Sequence, residues 1–180
     1  MKKVKYRFYV DYEKEEQWIN EMSKNGWNLE RFMVFRYTFA KGEPGAYIYR
    51  NELLAGFTIK DKNNYLDFLK ESGIEVVNKF GGWAYFRKKA AEGPFEIYTD
   101  TTSKISYYNR ILNLFTLLFL CNLIMGIFNL IVSKSAPYKG VVNLSTGIVG
   151  VIVAILILIP TMKVYHRKKS LIDQQQLFEE

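Results

Sequence analysis

An α+β domain built from duplicated βαββ units, followed by a two-helix transmembrane hairpin, is the fold class this sequence predicts. Three observations predict it. Residues 111 to 132 and 141 to 162 each run without one charged side chain, long enough as helices to cross a bilayer core. Ahead of them, period-two apolar patterns alternate with capped amphipathic stretches. The order strand, helix, strand, turn, strand also comes round twice, with helix stops at Asn25-Gly26 and Ser72-Gly73.

Taken in order, Tyr6, Phe8 and Val10 alternate with Arg7 and Tyr9 over residues 4 to 10, as in a half-buried strand. Asp11 stands where an N-cap would, Glu13, Glu15 and Glu16 load the first turn with the sign the helix dipole favours, and Trp18, Ile19 and Met22 form the buried stripe. Trp27 to Lys41 is β-rich and long enough for two strands folded near Arg31 to Phe35. Gly42-Glu43-Pro44-Gly45 is a turn. Residues 46 to 52 alternate again, Asp61 is placed to cap a second helix through Tyr65, Phe68 and Leu69, and residues 74 to 77 and 83 to 87 make a hairpin across Asn78 to Gly82, a turn that contains Gly81-Gly82. Two such units are expected to close around one sheet.

The remaining segments divide the chain further. Residues 1 to 98 form the α+β domain and 99 to 110 a linker with a juxtamembrane turn. Residues 133 to 140 are a loop too short for anything but antiparallel helices, and 163 to 180 a basic tail. Arg87, Lys88, Lys89, Lys104, Arg110, Lys163, Arg167, Lys168 and Lys169 flank the spans, against Lys134 and Lys139 in the loop. This bias predicts a cell-membrane protein with both termini in the cytoplasm. Tyr107, Tyr108, Arg110, Lys163, Arg167, Lys168 and Lys169 are the expected anchors at head-group depth. Asn113, Asn122, Asn129 and Asn143 are uncharged polar groups in or beside the spans, satisfied within the hairpin or by another membrane protein.

The formal net charge is +7, but the excess gathers at the membrane and forms no basic stripe, so no nucleic-acid partner is expected. Cys121, the single cysteine, lies mid-span and excludes an internal disulfide. His166 has no Cys, Asp or Glu within four residues, so neither a metal site nor a cofactor is expected. No phosphate loop, paired catalytic carboxylate or nucleophile-base motif is present, and the chain reads as a non-enzyme.

Aromatic residues dominate the strands. A small two-layer domain needs them as core, yet many on one sheet also suit a concave apolar pocket. The candidate ligand-binding set is Trp27, Glu30, Tyr37, Tyr49, Glu52, Trp83 and Tyr85, in which a carboxylate among aromatics would receive a cation. The leading expectation is a binding or sensing module for a small molecule or a protein partner, tethered to the bilayer. A structural accessory subunit of a transporter or regulator complex is the alternative, and a membrane-bound hydrolase comes third.

Several stretches carry a resemblance: Asp11-Tyr12-Glu13-Lys14-Glu15 to Trp18, Asn25-Gly26-Trp27 after Met22, Arg36-Tyr37-x-Phe39 with Lys41-Gly42-Glu43-Pro44-Gly45, and Tyr47-x-Tyr49-Arg50. Gly82-Trp83-x-Tyr85-Phe86-Arg87-Lys88 with Glu92-Gly93-Pro94-Phe95 completes the set. Over residues 6 to 110 the chain resembles a family of uncharacterised membrane proteins of Gram-positive bacteria, known only as a domain of unknown function. The resemblance implies genes beside PadR-type regulators or transporters and a role in envelope or drug stress. The repeated βαββ plan is also similar to ferredoxin-like sheets and to the ligand domains of multidrug-sensing regulators, a likeness of fold alone.

Overall fold

Sheet A and sheet B, three strands each, carry the first of two units, Met1–Thr99. Its elements run β1 (Lys2–Tyr6), α1 (Tyr12–Lys24), β2 (Trp27–Met33), β3 (Arg36–Lys41), β4 (Tyr47–Leu53), α2 (Ile59–Glu71), β5 (Glu75–Phe80) and β6 (Trp83–Lys89). The computed structural model describes residues 1–9, 11–135 and 140–179, with side chains as far as 176.

Local chemistry sets the element ends. The Asp11 carboxylate accepts from the Glu13 backbone N–H at 3.1 Å and starts α1. Gly26 leaves the helix at φ +77°, where an added Cβ would lie 3.0 Å from the Gly42 carbonyl oxygen. At α2 the cap is Thr58 rather than Asp61. The Thr58 hydroxyl accepts from the Asp61 N–H at 3.2 Å and donates to the Asp61 carboxylate at 2.6 Å, so Asp61 sits in the first turn as the cap's partner.

All strand pairs are antiparallel, and the order is β1-β3-β2 in sheet A and β4-β6-β5 in sheet B. The single sheet expected from sequence is therefore two. The edges that approach each other, β2 and β5, both carry a register shift, at Leu29/Arg31 and at Val76/Asn78. A bulge breaks the ladder just where the sheets would merge. The junction instead carries a side-chain bond, from Asn78 Nδ2 to the Phe32 carbonyl at 2.9 Å.

Two cores lie on opposite faces of sheet B. Trp18, Ile19, Leu29, Tyr37, Phe39, Tyr49 and Tyr85 fill the space between α1 and the two sheets. Leu54, Leu69, Ile74, Ala84, Phe86 and Phe95 pack on the α2 side. Along central β6, consecutive residues Ala84, Tyr85 and Phe86 alternate between these cores and all are buried.

Helix α1 also closes the outer edge of β4. The Asn20 carboxamide accepts from Tyr49 N–H at 2.8 Å and donates to the Tyr49 carbonyl at 2.9 Å, as a neighbouring strand's peptide would. The Ser23 hydroxyl donates to the Tyr47 carbonyl at 2.9 Å, and Glu16 Oε2 accepts from Asn51 N–H at 3.1 Å. Polar side chains of a helix thus satisfy an edge that would otherwise be a pairing template.

The second unit, Asp100–Glu180, holds α3 (Thr101–Ser135) and α4 (Gly140–Glu179). The loop assigned to 133–140 falls partly outside the described residues, at 136–139. Both helices are long and apolar enough to cross a membrane. Their backbones touch at glycines: a Cβ on Gly126 would lie 3.0 Å from Val151 N, and one on Gly150 would lie 3.1 Å from Gly126 Cα. Ile124, Phe128 and Ile159 stand at least 62% exposed, an outer surface suited to hydrocarbon rather than water. Asn122 and Asn129 each donate to the carbonyl four residues earlier, Leu118 and Met125, at 2.8 Å.

Candidate functional site: a carboxylate under two phenols

The apolar stripe of α1 carries one carboxylate. Glu15 precedes Trp18 and Ile19 by three and four residues, so helical geometry turns it to the same inward face. It is 9% exposed. Tyr37 of β3 donates to Glu15 Oε1 at 2.7 Å, and Tyr85 of β6 donates to the same oxygen at 2.6 Å. One atom of α1 therefore gathers a hydroxyl from each sheet. Glu15 has no ion-pair partner among the described residues, and Oε2 accepts no hydrogen bond among them.

Burial dominates the electrostatics here. It raises the Glu15 carboxyl above its ordinary range, and the bonds from Tyr85 and Tyr37 only partly oppose the rise. Tyr37 and Tyr85 are raised too, by burial and then by the negative charge they face. Aromatic walls surround the group. Trp18 meets Tyr37 edge-on at 4.9 Å, Phe32 lies 4.7 Å from Tyr37 and 5.1 Å from Tyr85, and Tyr9 lies 5.7 Å from Trp18. The Arg7 guanidinium sits 4.7 Å over the Trp18 ring and donates to the Tyr9 hydroxyl at 2.9 Å. A carboxylate in an aromatic, water-poor setting can hold an organic cation or exchange a proton.

A second carboxylate repeats the chemistry on the other face of sheet B. Glu52 is fully buried, accepts from the Tyr65 hydroxyl of α2 at 2.5 Å, and accepts from the Tyr98 hydroxyl. It ties β4 to α2 and to the segment that leads into α3.

The seven ligand-binding residues read from sequence do not form one site. Tyr37 and Tyr85 meet at Glu15. Glu52 belongs to the second cluster. Glu30 is on the surface and pairs with Lys2 at 2.7 Å, and Trp27 carries Lys3 at 4.2 Å from its ring centroid. Trp83 lies 5.6 Å from the Tyr12 ring. The Tyr49 hydroxyl is buried, with Arg87 and the Leu29 backbone as polar neighbours but neither in hydrogen-bond geometry. Of the anchors, Tyr107 and Tyr108 are buried with rings 5.9 Å apart, and the Arg110 guanidinium lies 5.7 Å from the Tyr107 ring. Lys163, Arg167 and Lys168 are half-buried on α4 and Lys169 is exposed.

Glu15, Tyr65 and Tyr98 were not legible as site residues. Glu15 reads as one of three acids favouring a helix N-terminus, although its spacing to Trp18 and Ile19 was a usable signal. A cleft of about 640 Å³ beside α2 and β5 is lined by Asp67, Glu75 and Glu92 against Lys70, Arg87 and Lys89. With Arg87 paired to Glu75 at 2.7 Å, this lining largely neutralises itself and selects no sign of ligand charge.

Residues 11–120 match a family described as "Protein of unknown function (DUF2812)". No curated protein matches, and no solved structure matches.

Proposed function

The chain belongs to that family of unknown function, DUF2812, and from this premise we propose that it is a membrane-anchored, non-catalytic binding protein whose α+β unit takes an organic cation at Glu15. The observation that carries the reading is a buried carboxylate held by two phenols, walled by aromatics and without a cationic partner among the described residues. An unpaired buried charge is costly, and a ligand cation would remove that cost. Arg7 already rests on Trp18, which supports that ring as a cation platform.

The basic flanks of the spans support a unit facing the cytoplasm. The matching strand order of the two sheets supports related βαββ units. A role in envelope or drug stress, with a membrane or regulatory protein receiving the signal, is what the resemblance implies for this reading. Glu52 and Tyr98 favour the accessory-subunit reading as runner-up, since their bond fixes the connector whether or not a ligand is present.

Titrating the full-length protein in detergent with tetraphenylphosphonium, followed by tryptophan fluorescence, tests the choice. Wild type should show saturable quenching. Glu15→Gln, which keeps an acceptor but removes the charge, should weaken binding about tenfold or more, equivalent to about 1.4 kcal/mol. Glu30→Gln should bind as wild type. Silence across a panel of organic cations would put the accessory subunit ahead.

A further inference from the structure

One end of sheet A is apolar where water should be. Tyr6 is 72% exposed, Phe8 68%, Val34 56%, Phe35 48% and Met33 41%. Register places Tyr6 and Met33 on either side of Arg36, and the turn Val34-Phe35 closes the same end. Phe8 packs edge-on against Phe35 at 5.1 Å, and Arg7 N–H donates to the Phe35 carbonyl at 2.9 Å, so the aromatic residues form one tip. Lys5, Arg31 and Arg36 are exposed around it and enter no ion pair among the described residues. The nearest acid along β2, Glu30, is already paired to Lys2 at 2.7 Å.

Phe35 adds an independent observation. At φ 62° it is the one non-glycine residue with positive φ among the described residues. Glycine or asparagine would hold that turn with less strain, so the backbone carries a cost that the phenyl ring must offset by some other contact.

We propose that this tip, Tyr6, Phe8 and Met33 to Phe35 ringed by Lys5, Arg31 and Arg36, docks on the surface of an anionic bilayer. Aromatic and aliphatic side chains would enter the interfacial zone while the guanidinium and ammonium groups meet lipid phosphates. Anionic lipid fits better than a protein because the rim is uniformly basic. The two spanning helices on the same chain keep the bilayer at high effective concentration, so a weak surface is enough. The α+β unit then rests on the membrane instead of swinging freely from its tether. This does not depend on the Glu15 site.

The test places a nitroxide at Val34→Cys in full-length protein with Cys121→Ala, reconstituted in phosphatidylcholine nanodiscs with or without phosphatidylglycerol. Lys24→Cys, on the exposed face of α1, is the aqueous control. In anionic discs the ratio of oxygen to nickel-chelate accessibility at Val34 should exceed the control by about threefold or more. It should fall toward the control in neutral discs and in Arg31→Glu/Arg36→Glu. Phe35→Gly should lower the ratio without lowering the thermal midpoint, because glycine suits that φ. A label as open to nickel as the control in anionic discs overturns the proposal. So does one shielded from oxygen as well as nickel, which would mean a protein covers the tip. Equal insertion with and without phosphatidylglycerol overturns its electrostatic part.

Discussion

A carboxylate buried under phenols titrates in the opposite sense from one in a strong ion pair. The folded Glu15 value lies above the ordinary 4.5, so between those values the folded state holds more protons than the unfolded one. Its contribution to stability is full below 4.5 and declines as pH rises through the raised value. Glu16, also raised by burial against the opposing pull of Arg50, adds in the same direction. Urea unfolding should therefore show stability falling as pH rises from the ordinary carboxylate range through the raised values, with a shallower fall in Glu15→Gln. Glu15→Gln should be at least as stable as wild type at neutral pH. Glu15→Leu should be less stable by about 2 kcal/mol or more, because it strands the Tyr37 and Tyr85 hydroxyls in the core. Sequence pointed to both tyrosines as site residues but not to the acid that joins them. Asp11 and Glu13 do serve the helix start, and Glu15 differs from them only in the angle at which it leaves the helix.

At the scale of elements, local signals read well and partners read poorly. Strands β2 to β4 and β6 and the Asn25-Gly26 stop follow from alternation and turn chemistry that a few neighbouring residues contain. The first strand runs Lys2–Tyr6 instead of 4 to 10, with Tyr6 and Phe8 exposed and Tyr9 on the core, and β5 continues to Phe80, which narrows the expected turn of Asn78 to Gly82 to Gly81-Gly82. The cap at Thr58 was missed because Asp61 offers the stronger acid, yet only the hydroxyl three residues earlier reaches its N–H. The division into two sheets was not readable either, since a bulge at Glu30 or Val77 leaves no mark on an apolar alternation that continues past it. Nor does any sequence pattern announce that Asn20 will pair with Tyr49, a contact across twenty-nine residues. That contact makes a sharp prediction. Asn20→Leu leaves the Tyr49 N–H of β4 without a partner and its carbonyl with only the 3.3 Å bond from Arg50, and should cost about 2 kcal/mol or more in the unfolding free energy. Asn20→Asp, which can accept from the N–H but cannot donate to the carbonyl, should also destabilise. Asn25→Asp, at the exposed end of the same helix, is the control and should cost less.

For the whole molecule, the question is which compartment the first unit samples. Six basic residues, Lys104, Arg110, Lys163, Arg167, Lys168 and Lys169, lie on the long helices outside the apolar stretches against Lys134 and Lys139 between them, a preference worth about 1 kcal/mol for each residue near anionic lipid, whereas Arg87, Lys88 and Lys89 belong to β6. In a background without Cys121, a cysteine at Ser135 should react with an impermeant thiol reagent in intact cells. Cysteines at Ser103 or Ser170 should react only after permeabilisation, and the reverse pattern would place the α+β unit outside. The two long apolar helices were legible because hydrocarbon imposes a simple rule on residue type. How the α+β unit closes was not, because it depends on contacts between segments far apart in sequence.

The sealing of β4 by α1 reaches beyond stability. The helix lies in the first half of the unit, whereas the strand it completes opens the second, so the sequence boundary at Gly42 to Gly45 is not a boundary of folding. A nascent chain ending at that turn would carry Asn20, Ser23 and Glu16 without their β4 partners, and a fragment beginning after it would pair β4 with β6 but leave the outer edge of β4 open. Neither half is a self-sufficient piece of protein, and the helix made early on the ribosome must wait for a strand made later.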